Sequence, residues 1–487
     1  MTKLALVQGA YQARSPIANS QSCINLVPEP NPPDSPFPVT HYPAPGLAVL
    51  QDFSGVPGVV SGVDYVRGIY NASSGSVILV IGVVVLNWQP GQTPPWNVVG
   101  SLQTNTNQPV QMCDNGNTLV IVDGGSQGYQ VPLTSLNVPN SLQLIVDEAF
   151  YGSNRVDFID TFLIFNWPGT PTFYTTTSNV VTPFDPTYFA SKEGWNDRLA
   201  SLAALHDNIW LLGNTTTEIW FNAGGSAFPF ARMPNSVLQQ GCAAPYSVVV
   251  ADNAVYWLSQ DRWGRNMLMR GEGYAAKRVS TFAVEWEWST YSYIADCIGM
   301  AYQLGGHEMV CFYFPNGNAW WTYDATTQLW HKRTYSDTTT AWLPYCIAGW
   351  GSVQYVGDTN AVLAGDRTAP RLLQISQNFY TDIGAPIIRQ RSWMHVQNDG
   401  KRVAHTRFSA SMVGAAMVPD EVNLDWSDDG GQTYGNPVPQ TTNNTTNGQY
   451  QWRRLGYARD RVYRLQWSGV GECALNGAFI DMIPADT

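Results

Sequence analysis

Charge is scarce in this chain. Lys, Arg, Asp and Glu together make up 13% of its 487 residues, about half the usual share. A surface so poor in Lys and Glu has to be covered by Asn, Gln, Ser and Thr, or by partner protein. The 26 basic residues are outnumbered by 37 acidic ones, giving a net charge of −11. No basic run interleaves with aromatics. That excludes a conventional nucleic-acid binder, whose affinity comes largely from Lys and Arg displacing condensed counterions. Long apolar runs are missing too: the stretch from Val77 to Trp88 is broken by Gly82 and Asn87 and is too short to span a bilayer. The apolar part of Met1 to Gln8 is too brief for a signal-peptide core, so synthesis in a cytosol is expected. The seven cysteines (Cys23, Cys113, Cys242, Cys297, Cys311, Cys346 and Cys473) contain no C-x-x-C pair, which points to reduced core thiols rather than a disulfide framework or zinc ribbon. The six histidines show neither H-x-x-x-H nor H-E-x-x-H spacing. Gly224-Gly225 and Gly430-Gly431 lack a following Lys-Ser, so no phosphate loop is expected.

What the chain does have is a repeat. Apolar, strand-like runs begin at Val77, Thr118, Thr161, Asn208, Ala254, Glu308 and Val353, separated by 41, 43, 47, 46, 54 and 45 positions. That interval matches the roughly 40 to 50 residues of one four-stranded propeller blade. Turn-forming residues stand before several runs: Asn115-Gly116-Asn117, Asp207-Asn208 and Asp252-Asn253. The runs are β-branched and aromatic, and too short for buried helices. An all-β chain follows, led by a β-propeller of about six or seven blades. Trp195 to His206 is the one modest helical candidate. The 19 Trp, 24 Tyr and 18 Phe supply rigid surfaces for packing sheet on sheet.

Three regions are expected. Residues 1–55 are rich in Pro, Asn and Ser, and eight prolines between Pro28 and Pro45 predict an extended arm without regular ladders. Residues 56–385 carry the propeller. Residues 386–487 read as a C-terminal β-sandwich, with strands at Arg402 to Ser411, Val422 to Trp426, Gln451 to Leu455 and Arg461 to Trp467, and a Thr/Asn-rich loop from Thr441 to Gly448. Between Arg389 and Arg464 ten Lys or Arg face seven Asp or Glu. These are either solvated strand faces or a basic docking face for an acidic partner, with Arg389, Arg391, Arg402, Arg453 and Arg454 as its candidates.

Several constellations resemble chemistry. Ser427-Asp428-Asp429-Gly430-Gly431-Gln432-Thr433-Tyr434 resembles the Asp-box of sialidase propellers, S-x-D-x-G-x-T-W, with Tyr in place of Trp. Such a box is a hairpin device and carries no reaction. Glu285 and Glu287 fall on one face if Val284 to Trp288 is extended, which would suit paired-carboxylate glycoside hydrolysis; strand faces carry such pairs routinely. Asp123, Asp358 and Asp366 are candidate calcium ligands, although turn aspartates usually are not. A glycan-binding surface could use Trp320, Trp321 or Trp350. No catalytic, cofactor-binding or metal-ligating set assembles by motif.

A resemblance supplies what local chemistry does not. Gly9-Ala10-Tyr11-Gln12-Ala13-Arg14-Ser15, then Asn19 to Glu29 and Pro45-Gly46-Leu47, are similar to the start of the packaged-DNA stabilisation proteins, or tail hub (nozzle) proteins, of short-tailed phages. The likeness continues through Thr217 to Asn222, Gly241-Cys242, Tyr256-Trp257-Leu258 and Arg278-Val279-Ser280-Thr281 before Glu285. It runs on through Gly306-His307-Glu308, Phe314-Pro315, Thr322-Tyr323-Asp324, Trp330-His331, Leu373-Gln374-Ile375 and Tyr380 to Gly384. The resemblance implies a structural virion protein of the tail, assembled in the host bacterial cytoplasm, and no enzyme. It also implies a hexameric ring below the portal and its adaptor ring, continuing the DNA channel, retaining packaged DNA and mounting a tail needle or plug and receptor-binding spikes or fibres. An acidic or neutral channel would let genomic DNA slide without sticking. Tyr11, Arg14, Asn25, Pro28 and Glu29 are the candidate residues of an arm docking on the adaptor or a neighbouring subunit. The competing expectation is a glycan-active, sialidase-like or glycan-binding tail propeller.

Overall fold

A computed structural model describes residues 2–4, 9–105, 108–195, 197–225, 227–264, 267–335, 343–345, 347–355, 361–413, 421–441, 448–469 and 471–485. Among them, seven sets of antiparallel strands form the blades of a propeller, the sixth and seventh within larger sheets. The second strands of blades one to six are Val77–Ile81, Thr118–Val122, Phe162–Asn166, Asn208–Gly213, Ala254–Gln260 and His307–Phe314, where the repeat placed them. Their side chains are buried on both faces because each blade packs against a neighbour on either side, as in Val77–Ile81, where all five residues are buried. Strands buried on both faces read as continuous apolar runs rather than as alternation. Each such Val, Ile or Leu contributes about 1.5–3 kcal/mol of burial. Asp252 and Asn253 hold φ of 46° and 52° between paired strands, the left-handed pair that a two-residue hairpin requires.

The first strands line the axis. Val66–Asn71, Gln111–Asp114, Val156–Ile159, Leu199–Leu205, Val249–Ala251, Ile298–Leu304 and Ile347–Tyr355 contact one another in sequence, and Ile347–Tyr355 meets Val66–Asn71 to close the ring. Leu199–Leu205 is therefore a strand, not the helix expected near Trp195 to His206. Its Ala- and Leu-rich sequence favours helix locally, and burial between two blades overrides that preference. The seventh run, from Val353, falls one strand early. It lies at the end of the first strand of blade seven, whose second strand is Ala361–Asp366, and its Val356 to Asp358 portion lies outside the described residues.

Blade seven is completed from the other end of the chain. Gly46–Asp52 pairs antiparallel with Arg371–Ser376 as the fourth strand of the blade, and Thr381–Asp382 pairs in parallel along its far side. The expected arm is in fact paired along much of its length. Leu26–Pro30 and Val39–Pro43 form a hairpin in a sandwich sheet, with Leu26 opposite Pro43 and Pro30 opposite Val39. Pro28 and Pro30 are tolerated because Leu26–Pro30 is an edge strand, where a missing N–H interrupts no further ladder.

The C-terminal sandwich packs two sheets. One carries Gly448–Arg453, Val403–Val413, Ala474–Pro484 and the N-terminal hairpin; the other carries Arg389–Ser392, Asp460–Trp467, Val422–Ser427 and Val438–Gln440. Phe408, Trp452, Tyr463, Trp393, Leu424 and Ile480 fill the space between them. The second sheet does not stop at the domain boundary. Ile24 pairs in parallel with Lys332 of blade six and antiparallel with Gln390 of the sandwich, so one hydrogen-bonded sheet runs from propeller to sandwich.

Candidate functional site

The sequence-predicted residues gather where the N-terminal segment, blade six and the sandwich meet. Asn25 holds φ 57°. Its side-chain oxygen accepts from Arg333 Nη1 at 3.1 Å and from the Thr334 amide at 2.9 Å. Its amide donates to Thr334 Oγ1 at 2.9 Å and to the Ile388 carbonyl at 2.8 Å. Arg333 is buried, stands 3.7 Å from Asp382 and lies over the Tyr345 ring at 4.2 Å. Burial pushes the Asp382 carboxyl up to about 6, against the opposing pull of Arg333 and Arg389.

The other arm candidates also bind their own chain. Pro28 is buried within its strand. Glu29 meets His307 Nε2 at 3.1 Å, while His307 Nδ1 meets Asp324 at 2.7 Å. Hydrogen bonds to Asp324 and Glu29 raise the imidazole to about 9 against burial. Half-buried Tyr11 pairs with Gln21 in a two-stranded sheet, and Arg14 stands 4.7 Å from the Trp286 ring. These contacts lie within one chain, and Arg14 is exposed while Tyr11 and Glu29 are partly exposed.

The basic docking face also changes. Arg389 and Arg391 are fully buried, which removes them from any docking surface. Arg391 donates to the Gly9 and Ser22 carbonyls at 2.9 and 3.1 Å and to Gln21 Oε1 at 2.8 Å. The positive charge of Arg391 ties down buried backbone carbonyls, a role that spacing alone does not reveal. Arg402, Arg453 and Arg454 are exposed; Arg402 lies 5.1 Å from the Tyr457 ring.

No expected reaction centre forms at the carboxylates. Val284 to Trp288 is helical, inside Phe282–Ser289, not extended. Thr281 caps that helix by accepting from the Val284 amide, a Ser/Thr start signal visible in the sequence. Glu285 is bound by Arg278 and Ser280, and Glu287 by Lys332 and Tyr291. The Asp-box is a turn: Asp429 Oδ1 accepts from the Gln432 and Thr433 amides at 3.0 and 2.9 Å. Its carboxyl is held well below the usual range by hydrogen bonds from Ser427 and Thr433. Trp320 and Trp321 are core residues, 2% and 3% exposed, and the side chain of Trp350 lies outside the described residues. Among the described residues no cluster of three metal-ligating side chains occurs. Asp366 is bound by Arg371 and the Thr368 amide, and Asp358 lies outside the described residues.

A cavity of 690 Å³ opens at the face where the first strands begin, lined by residues of blades two to six that include Gln108, Asn154, Asn214, Tyr246, Gln260 and Asp296. Nearby charge is spent on structure. Arg67 donates to the Gln108 and Gly82 carbonyls at 3.0 and 2.7 Å, with Asp123 at 3.9 Å. Arg155 donates to the Val248 carbonyl at 3.1 Å. Burial raises the Cys242 thiol to about 12, which keeps it protonated and unreactive.

No curated protein matches this chain at a significant level. Solved structures that resemble it are distant. An extracellular domain of a putative one component system from B. thetaiotaomicron is 10% identical, with a TM-score of 0.43. This chain covers 48% of that one, which in turn covers 83% of this one; a second B. thetaiotaomicron extracellular domain is spanned for 38% of its length. Virginiamycin B lyase from Staphylococcus aureus, in a catalytically inactive form, is 8% identical, with a TM-score of 0.43, coverage of 68% of this chain and 99% of its own. Family profiles are decisive where these are not: "Bacteriophage P22 Gp10, beta-propeller" matches residues 2–380 and "Bacteriophage P22 Gp10, beta-sandwich" matches residues 388–483. The chain therefore belongs to the bacteriophage P22 Gp10 family of packaged-DNA stabilisation proteins, structural proteins of the phage virion.

Proposed function

We infer that this chain is one subunit of a tail hub or nozzle: a ring, six-fold by its resemblance, seated below the portal and its adaptor. The observation that carries this reading is the match of both domains, in order, to one tail-protein family. In this role the ring continues the DNA channel, retains the packaged genome and mounts the plug and the spikes or fibres. It works without catalysis and is assembled in the host cytoplasm.

The physical properties of the chain fit that work. The first strands of the seven blades contact one another in sequence around the axis, which leaves an opening too narrow for a duplex. The DNA path therefore runs between copies of the chain and not through a propeller. A net charge of −11 suits a wall past which phosphate slides, because a basic wall would hold it by counterion release. The sheet shared between blade six and the sandwich gives each subunit a stiff body on which to mount partners.

Native mass spectrometry of the protein mixed with its portal–adaptor complex tests the reading. Six copies added to the complex are expected; a monomer that ignores the complex overturns it.

A further inference from the structure

The molecule exposes two large aromatic rings at one groove. Trp263 is 75% exposed and Trp195 is 51% exposed, in a protein that buries most of its tryptophan. They line a common depression of 180 Å³ between blades four and five, together with Thr215, Gln239, Gln240 and Asp261. The side-chain amides of Gln239 and Gln240 make no hydrogen bond among the described residues, although each can donate and accept. Trp263 is held by its own turn, its amide donating to Asp261 Oδ1 at 2.8 Å. Arg262 lies 5.2 Å from the ring of Trp263.

This groove adjoins the axial cavity. Thr215 and Asp261 line the groove, whereas their chain neighbours Asn214 and Gln260 line the cavity. Gln260 Nε2 donates to the Asn214 carbonyl at 3.1 Å and forms the sill between the two. On the far side the cavity offers Asn154, Tyr246, Tyr293 and Asp296. The Asn154 side-chain oxygen and Asp296 Oδ1 are buried without a hydrogen-bond partner, so acceptors wait there for a donor.

We propose that this groove and the adjoining cavity bind a neutral oligosaccharide, with one pyranose stacked on the exposed tryptophans and further units reaching over the sill toward the axis. A sugar ring presents an apolar C–H face and an equatorial fringe of hydroxyls. Indole faces beside free amides and carboxylate acceptors match that pattern. A phosphate-bearing or strongly anionic ligand fits poorly, because Arg262 is the one cation among the described residues that line the groove and Asp261 stands beside it. A protein partner fits less well than a sugar, since the two rings border a concavity among polar side chains and form no continuous apolar patch. The site does not depend on the hub reading, although on a phage tail its natural ligand is a host-surface polysaccharide.

The test is an array carrying neutral bacterial O-polysaccharides together with maltohexaose, laminarihexaose and chitohexaose, followed by calorimetric titration of whichever glycan binds. Wild-type protein is expected to bind at least one. Trp263→Ala and Trp195→Ala are each expected to weaken that binding about tenfold or more, and Trp263→Phe by no more than about threefold, as for other aromatic stacking platforms. Thermal midpoints of all three variants should match wild type, since both rings are exposed. An empty array, or an affinity indifferent to both alanine variants, overturns the proposal. So does loss of adaptor capture in Trp263→Ala with no glycan bound, which would make the tryptophans a protein interface. Counting copies on the portal–adaptor complex is a separate measurement, so the hub reading and the glycan site can fail independently.

Discussion

Asn25 and Arg333 lie 308 positions apart in the chain and meet at 3.1 Å, the side-chain oxygen of one accepting from the guanidinium of the other. This contact fastens the N-terminal segment to the outer strand of blade six, directly beside Ile24, which joins that blade to the sandwich. Two domains that share a hydrogen-bonded sheet through a third segment are expected to unfold together.

Asn25→Ala tests that coupling. The change strands the Arg333 and Thr334 donors and places a residue with a Cβ but no local hydrogen bond at φ 57°. A loss of about 3 kcal/mol is expected, read by chemical denaturation. Separation of one transition into two would show that Asn25 holds propeller and sandwich together; an unchanged midpoint would remove it from that role.

Closure of blade seven rests on Gly46. A Cβ there would stand 2.5 Å from the Phe379 carbonyl oxygen and 2.6 Å from that of Thr381, and backbone cannot step aside. Gly46→Val should cost about 3 kcal/mol by lifting Gly46–Asp52 from Arg371–Ser376. Limited proteolysis should then cut near residue 46 in the variant and spare the wild type.

His307 gives the protein a pH-dependent contact. Its folded value, about 9, exceeds the ordinary 6.5 because the imidazolium is hydrogen-bonded to Asp324 and Glu29. The protonated form is therefore the one the fold favours. Its stabilisation is fully present below about pH 6.5 and is lost as pH rises through about 9. His331 also faces Asp324, but burial drives it down to about 3, so it stays neutral across that window. The stability difference between wild type and His307→Gln should shrink between pH 7 and 10. Glu29→Gln should lower the His307 titration midpoint followed by NMR.

Glu285 and Glu287 are predicted to be structural. Glu285→Gln should cost about 1 kcal/mol or less through the partly exposed Arg278 pair, and phage carrying Glu285→Gln with Glu287→Gln should remain infectious. Selective loss of host-glycan cleavage by that double variant would reverse the assignment.

Much of this was written locally. Second strands are sandwiched between blades, so their two-sided burial leaves apolar runs at a fixed interval, and Asp252-Asn253 announces its own turn. The Ser427 to Tyr434 turn was likewise readable, because its hydrogen bonds are made by near neighbours. The helix at Phe282–Ser289 was missed because its alternating Glu and Trp mimic a strand, with only Thr281 to signal a helix start. Ala474–Pro484, a long strand central to its sandwich sheet, was missed because Asn476, Gly477 and Asp481 interrupt its apolar pattern.

The sequence by itself determined an all-β chain with a propeller repeat and a distinct C-terminal region, because strand periodicity and turn chemistry act over a few residues. Only the tertiary structure decided where the first 55 residues go and which arginines are buried. Pairings such as Gly46–Asp52 with Arg371–Ser376, and contacts such as Arg391 with Gly9, join segments hundreds of residues apart. An edge strand that tolerates proline and an arginine that binds buried carbonyls look, in the sequence, like a loose arm and a solvated charge. The partner that distinguishes them comes close only when the chain has folded.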